Sequence, residues 1–154
     1  MARSCRRRIA RFFIIIKINL LLFVTTKTIF KMKATNQQNK EIADLIGEEL
    51  NINFKHNELS LNGWGDVDDY AIVNKNNWVL LECESTQKHP NTNVLKLYPF
   101  LEENPELNVI LFHVFFSNNK APKNRIKLCD FIADKMQKEF GKRFQYKRIM
   151  HDKF

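Results

Sequence analysis

The sequence predicts one mixed α/β domain, a mixed central sheet flanked by helices, in the order helix, three strands, helix, strand, helix, strand. Three observations carry this reading. Helical and strand periodicities alternate between residues 36 and 149. Residues 109–116 form an almost unbroken apolar run of strand length, which suits a strand buried on both faces. The 154 residues, 44% hydrophobic and 27% charged, are enough for one core and too few for two. Ordinary globular composition also argues against a disordered chain, a disulfide miniprotein and a multi-span membrane protein.

The first helix opens at Asn36, available as a cap, and carries Ile42, Leu45, Ile46 and Leu50 at helical spacing. Residues 53–61 alternate weakly and are read as a first strand, closed by the turn Asn62-Gly-Trp-Gly65. A second strand takes residues 66–73 and a third residues 78–84, with residues 74–77 as a four-residue hairpin loop. After His89-Pro90, a helical stripe of Val94, Leu95, Tyr98 and Leu101 is interrupted or kinked at Pro99 and closed by Asn104-Pro105. Within the apolar run that follows, His113 is expected to be a satisfied core histidine. Ile126, Cys129, Ile132, Ala133, Met136 and Phe140 then make a long amphipathic helix ended by Gly141. Residues 144–149 read as the last strand.

The formal charge of +8 belongs to the N-terminus, because residues 1–31 hold eight Lys/Arg and no acid. The remaining 17 Lys/Arg are matched by 17 Asp/Glu, so residues 32–154 are neutral overall. In residues 1–31 a basic start precedes a greasy run at 12–24, short for a bilayer span and interrupted by Lys17 and Asn19. Three readings stand: a signal peptide lacking a small-residue cleavage site, a membrane anchor, or an upstream stretch before a true start at Met32. The last is preferred, which makes residues 32–154 the single folded domain. Cys5, Cys83 and Cys129 show no C-x-x-C spacing, and the four histidines never fall at zinc-ligand spacing, so a reducing cytoplasm without a structural zinc is expected.

Chemistry concentrates on the central hairpin. Glu82 and Glu84 lie two apart in a strand and project to one face. With a four-residue loop, Val73 pairs with Trp78 and Asp69 falls opposite Glu82. Carboxylates so placed repel, and a bound divalent cation relieves them. Three such oxygens suit Mg²⁺ or Mn²⁺, which orient water and stabilise charge on a phosphoryl oxygen. A solvent-facing acidic hairpin without function is the plain alternative. Further along, residues 32–119 carry six Lys/Arg against thirteen acids, and residues 120–154 eleven against four. Lys120, Lys123, Arg125 and Lys127 are therefore the phosphate-contact candidates, although the same residues suit a solvated helix face. Trp64 suits either packing or stacking on an unpaired base.

Gly65-Asp-Val-Asp-Asp-Tyr-Ala-Ile-Val73, a short loop, then Val79-Leu-Leu-Glu-Cys-Glu84 resembles the PD-(D/E)XK nuclease superfamily, which includes restriction endonucleases, Holliday-junction resolvases and Mrr-like and RecB-like nucleases. The resemblance covers about residues 36–116, and it implies a restriction-endonuclease-like αβββαβ core with the last helix and strand as extensions. It implies metal-dependent cleavage of DNA, with the aspartate of the second strand at Asp69, or at Asp68 if the hairpin loop differs by one residue. Glu82 takes the place of the motif's acid, and Glu84 stands where lysine is usual. E-x-E variants and members with the lysine on the following helix are known, so the resemblance implies Lys88 or Lys96 in that role. Glu48 or Glu49 of the first helix is a further candidate. Many small relatives act as homodimers. The expectation is a Mg²⁺-dependent DNA endonuclease, against a noncatalytic nuclease-fold module that binds nucleic acid or protein, or a small membrane-anchored protein.

Overall fold

The computed structural model describes residues 35–116 and 119–151. The readings of residues 1–31 and of a start at Met32 lie outside the described residues. Among those described, no helix is long and apolar enough to cross a membrane.

Helix α1 (Thr35–Leu50) is amphipathic and buries Ile42, Ala43, Ile46 and Leu50. It ends at Asn51, whose φ of 56° turns the chain back so that Ile52 N–H donates to Gly47 O at 2.9 Å. Gly47 is required by that turn: a Cβ there would lie 2.7 Å from the Ile52 carbonyl oxygen. In an open helix, Gly→Ala stabilises by about 0.5–1 kcal/mol. Here the sign is expected to reverse. Gly47→Ala should lower the urea midpoint, and an unchanged or raised midpoint would mean that the close approach is absent.

The central sheet has the order β3-β4-β5-β6: β3 (Asp69–Asn74), β4 (Asn77–Glu84), β5 (Asn108–Phe116) and β6 (Phe144–His151). β3 and β4 are an antiparallel hairpin, and β4, β5 and β6 run parallel. The link from β4 to β5 contains α2 (Asn91–Leu95) and α3 (Leu97–Glu103), and the link from β5 to β6 contains α4 (Lys123–Phe140). Strand alternation sorts the side chains into two cores. Val79, Leu81, Phe112, Val114 and Phe116 meet α1, while Leu80, Leu111, Phe115 and Phe144 pack with Val94, Leu97, Cys129, Ala133 and Met136. The fold is thus mixed α/β, a four-stranded mixed sheet between helices, as the periodicities require.

Two elements differ from the sequence reading. Residues 53–61 do not join the main sheet as a strand. Only Lys55 bridges to Tyr70, and β1 (Leu59–Ser60) pairs instead with β2 (Asp66–Val67) in a separate antiparallel sheet. The expected strand 66–73 is therefore cut at a bend on Asp68. The second difference is that the helical stripe breaks at Lys96 and not at Pro99. Pro99 is the third residue of α3, in the first turn, where a missing N–H removes no helical hydrogen bond.

Candidate functional site

The β3–β4 hairpin decides which carboxylates meet. Asn74 pairs with Asn77 across a loop of only Lys75 and Asn76, and Asn74 Oδ1 accepts from Asn76 N–H (3.1 Å) and Asn77 Nδ2 (2.7 Å). Next comes Ile72 opposite Trp78, leaving Val73 as an extra residue at an irregularity. The expected pairing of Val73 with Trp78 is corrected accordingly, and with it the expected place of Asp69. Asp69 lies opposite Leu81, not Glu82, and so belongs to the α1 face. The neighbouring Asp68 turns to the face of Glu82 and Glu84.

On the α1 side, Asp69 is 4% exposed and its Oδ1 lies 2.9 Å from His56 Nδ1, while His56 Nε2 lies 3.1 Å from Asp44 Oδ1. Burial pushes the Asp69 carboxyl up, and the His56 contact opposes this. The Asp44–His56–Asp69 chain fastens α1 to β3. Neither Glu48 nor Glu49 of α1 lines the cleft described next.

On the other face, β2, the bend and the end of β4 enclose a cleft of about 190 Å³ lined by Glu58, Asp66, Asp68, Glu82, Glu84, Gln87 and Asn93, among others. Asp68 Oδ2 accepts from Cys83 N–H at 3.1 Å. Burial raises its carboxyl, partly offset by that hydrogen bond and by Lys96. Glu82, 3% exposed, accepts a 2.6 Å hydrogen bond from Lys96 Nζ. Burial lifts the Glu82 carboxyl from the usual 4.5 to about 8; Lys96 opposes the shift, and Asp68 and Glu84 add to it. Glu84, 1% exposed, accepts from Asn93 Nδ2 at 2.9 Å and lies 2.6 Å from His113 Nε2. His113 Nδ1 in turn lies 3.1 Å from the Tyr146 hydroxyl.

Lys96 stands at the α2–α3 break. Besides Glu82 it donates to Asn93 Oδ1 (3.1 Å) and to the Asp66 carbonyl, so one ammonium ties the helix to β2 and β4. Its stem passes close to Gly65, where a Cβ would be 3.2 Å from Lys96 Cδ. Neither lysine lines the cleft itself: Lys96 reaches its edge through Glu82 and Asn93, whereas Lys88, the alternative, is exposed on the loop after β4.

Among the described residues, no group of three or more His, Cys, Asp or Glu stands ready to hold a metal ion. Carboxylate oxygens are the donor type that a hard cation takes. Asp68, Glu82 and Glu84 each give one oxygen to a protein partner, and the other oxygen takes no hydrogen bond among the described residues. Lys120, Lys123 and Lys127 are exposed and Arg125 half-buried around the start of α4. Glu84 pairs with Phe115, one residue before β5 ends, so α4 begins at the same end of the sheet as the cleft.

Of the expected residues, Asp68, Glu82, Glu84 and Lys96 come together, while Asp69 and Lys88 stand apart from them. Asn93, His56 and the two partners behind Glu84 (His113 and Tyr146) were not anticipated as site residues. The one sequence signal for those two partners is a histidine inside the apolar run of β5, beside a strand that bears two glutamates. Compared with known proteins, the chain matches no protein-family model and no curated protein.

Proposed function

We propose that the chain is a metal-dependent nuclease of the PD-(D/E)XK kind that hydrolyses DNA phosphodiester bonds. The observation that carries this reading is the Glu82–Lys96 pair, buried between Asp68 and Glu84. It supplies from the following helix the ammonium that the E-x-E strand lacks. Asp68, Glu82 and Glu84 would hold Mg²⁺ or Mn²⁺, which supplies an activated water and charge stabilisation at the scissile phosphate. Lys96, whose three N–H groups already serve Glu82, Asn93 and the Asp66 carbonyl, limits repulsion among the three acids, and it would reach water or phosphate only by exchanging one of these hydrogen bonds. Lys120, Lys123, Arg125 and Lys127 supply backbone contacts that would weaken with added salt.

The test is cleavage of linear, nicked and branched DNA by the full chain with Mg²⁺ or Mn²⁺, beside Glu82→Ala and an EDTA control. Asp68→Asn is expected to lower the rate by about 100-fold or more, as loss of a group that holds transition-state charge does. Asp69→Asn should leave it within a few-fold. Equal losses in the two variants would remove the assignment of Asp68 to the cleft.

One observation favours a second reading, a noncatalytic nuclease-fold module that binds nucleic acid or protein. Lys96 already occupies Glu82 at 2.6 Å, where a metal ion would have to displace it. That reading predicts DNA binding unaffected by EDTA and by Glu82→Ala, with no cutting.

A further inference from the structure

The β1–β2 hairpin lies outside the central sheet, and the role of its turn is not explained by the core. Leu61 and Val67 anchor it, at 0% and 1% exposure. Its tip is tightly specified: Asn62, Gly63 and Gly65 have φ of 54°, 88° and 135°, Leu61 N–H donates to Gly65 O at 2.8 Å, and Trp64 N–H donates to Leu61 O at 3.0 Å. Lys96 braces the hairpin through the Asp66 carbonyl. This fixed frame leaves the Trp64 side chain in solvent, 48% exposed, with no side-chain hydrogen bond or aromatic partner among the described residues. The other tryptophan, Trp78, packs against Phe100 at 5.8 Å between ring centroids.

The position of the turn matters. Asp66 and Val67, the next residues along, line the acidic cleft, and Gly65 lies against the stem of Lys96. An indole exposed on a turn beside the cleft offers a flat apolar face, and on the nuclease reading the ligand that suits it is the face of a nucleobase. In a paired duplex both faces of each base are covered by its neighbours. A stacking platform can therefore engage only an unpaired or terminal base.

We propose that Trp64 is a stacking site for an unpaired base, and that the cleft takes single-stranded or flapped DNA in preference to blunt duplex. The proposal rests on the nuclease reading for the choice of ligand. On that reading the strand has two holds: its scissile phosphate at the cleft and its base on the indole beside it.

The test measures binding apart from cutting. The full chain is titrated with a labelled oligothymidylate and with a blunt duplex of equal length, in EDTA and with Ca²⁺ in place of Mg²⁺. Anisotropy and tryptophan fluorescence are followed for wild type, Trp64→Ala and Trp64→Phe, with circular dichroism to check that each is folded. The single strand should quench the indole emission, and Trp64→Ala should weaken its binding roughly 5- to 100-fold, as loss of one base–aromatic stack does. Trp64→Phe should retain most of the affinity, and duplex binding should be unchanged in both variants. Unchanged single-strand affinity in Trp64→Ala overturns the proposal, and so does an equal loss on single strand and duplex. Metal-dependent cutting of single strands at the same rate in Trp64→Ala as in wild type overturns it while leaving the nuclease reading intact. Trp64-dependent binding with no cutting of any DNA supports it and removes the nuclease reading.

Discussion

Glu82→Gln is expected to stabilise the metal-free protein at alkaline pH while abolishing metal-dependent cleavage. The Glu82 carboxyl is raised from 4.5 to about 8, chiefly by burial. Between those two values the folded protein holds a proton that the unfolded chain has released, so stability falls as pH rises through the window. Below 4.5 both states are protonated at this group, and above about 8 the loss is complete. The size of the loss is on the order of a few kcal/mol, from the shift at about 1.4 kcal/mol per unit. Urea midpoints in EDTA at pH 5, 7 and 9 check this. Wild type should decline across the series, and Glu82→Gln should lose most of that decline. Adding Mg²⁺ at pH 9 should raise the wild-type midpoint and leave that of the variant in place, since an ion that binds only the native state stabilises it by mass action. A wild-type midpoint that rises from pH 5 to pH 9 would contradict a Glu82 carboxyl raised chiefly by burial.

The largest loss of stability is expected from His113→Ala. His113 and Glu84 are 0% and 1% exposed and 2.6 Å apart on neighbouring central strands. Removing one partner leaves Glu84 with Asn93 alone and opens a cavity, at a cost of about 3–5 kcal/mol. The Tyr146 hydroxyl loses its contact as well. Because the penalty comes from a stranded partner, replacing both at once should cost far less. Glu84→Leu combined with His113→Phe is expected near wild-type stability or above it, with metal affinity lost. Chemical denaturation of the two single variants and the double variant measures the coupling. If His113→Ala falls within about 1 kcal/mol of wild type, the buried pair is not a determinant of the fold.

Hydrophobic period carried most of the architecture. The apolar run at 109–116 and the stripe from Ile126 to Phe140 leave few alternatives to a central strand and a docked helix, because each buries a side set by its spacing. The hairpin register was not legible in that way. It depends on Asn74 closing a two-residue loop with its own side chain and on Val73 bulging out, both local hydrogen-bonding choices that hydrophobic pattern does not encode. Pro99 misplaced the helix break because proline ends helices in their interior and not in their first turn. Lys96 was separated from Lys88 only by the direction in which the helix leaves β4, a property of packing.

The adjacency of Asp68 and Asp69 has a consequence for how such a site tolerates change. Insertion or deletion of one residue in a hairpin ordinarily turns a strand's side chains over and empties a site built on it. Here a slip in one direction brings Asp69 to the place of Asp68, and the cleft keeps a carboxylate; a slip in the other brings Asp68 to the place of Asp69 beside His56. The doublet thus guards one carboxylate against a change of turn length in either direction: the one facing the cleft if the strand slips one way, the one facing His56 if it slips the other.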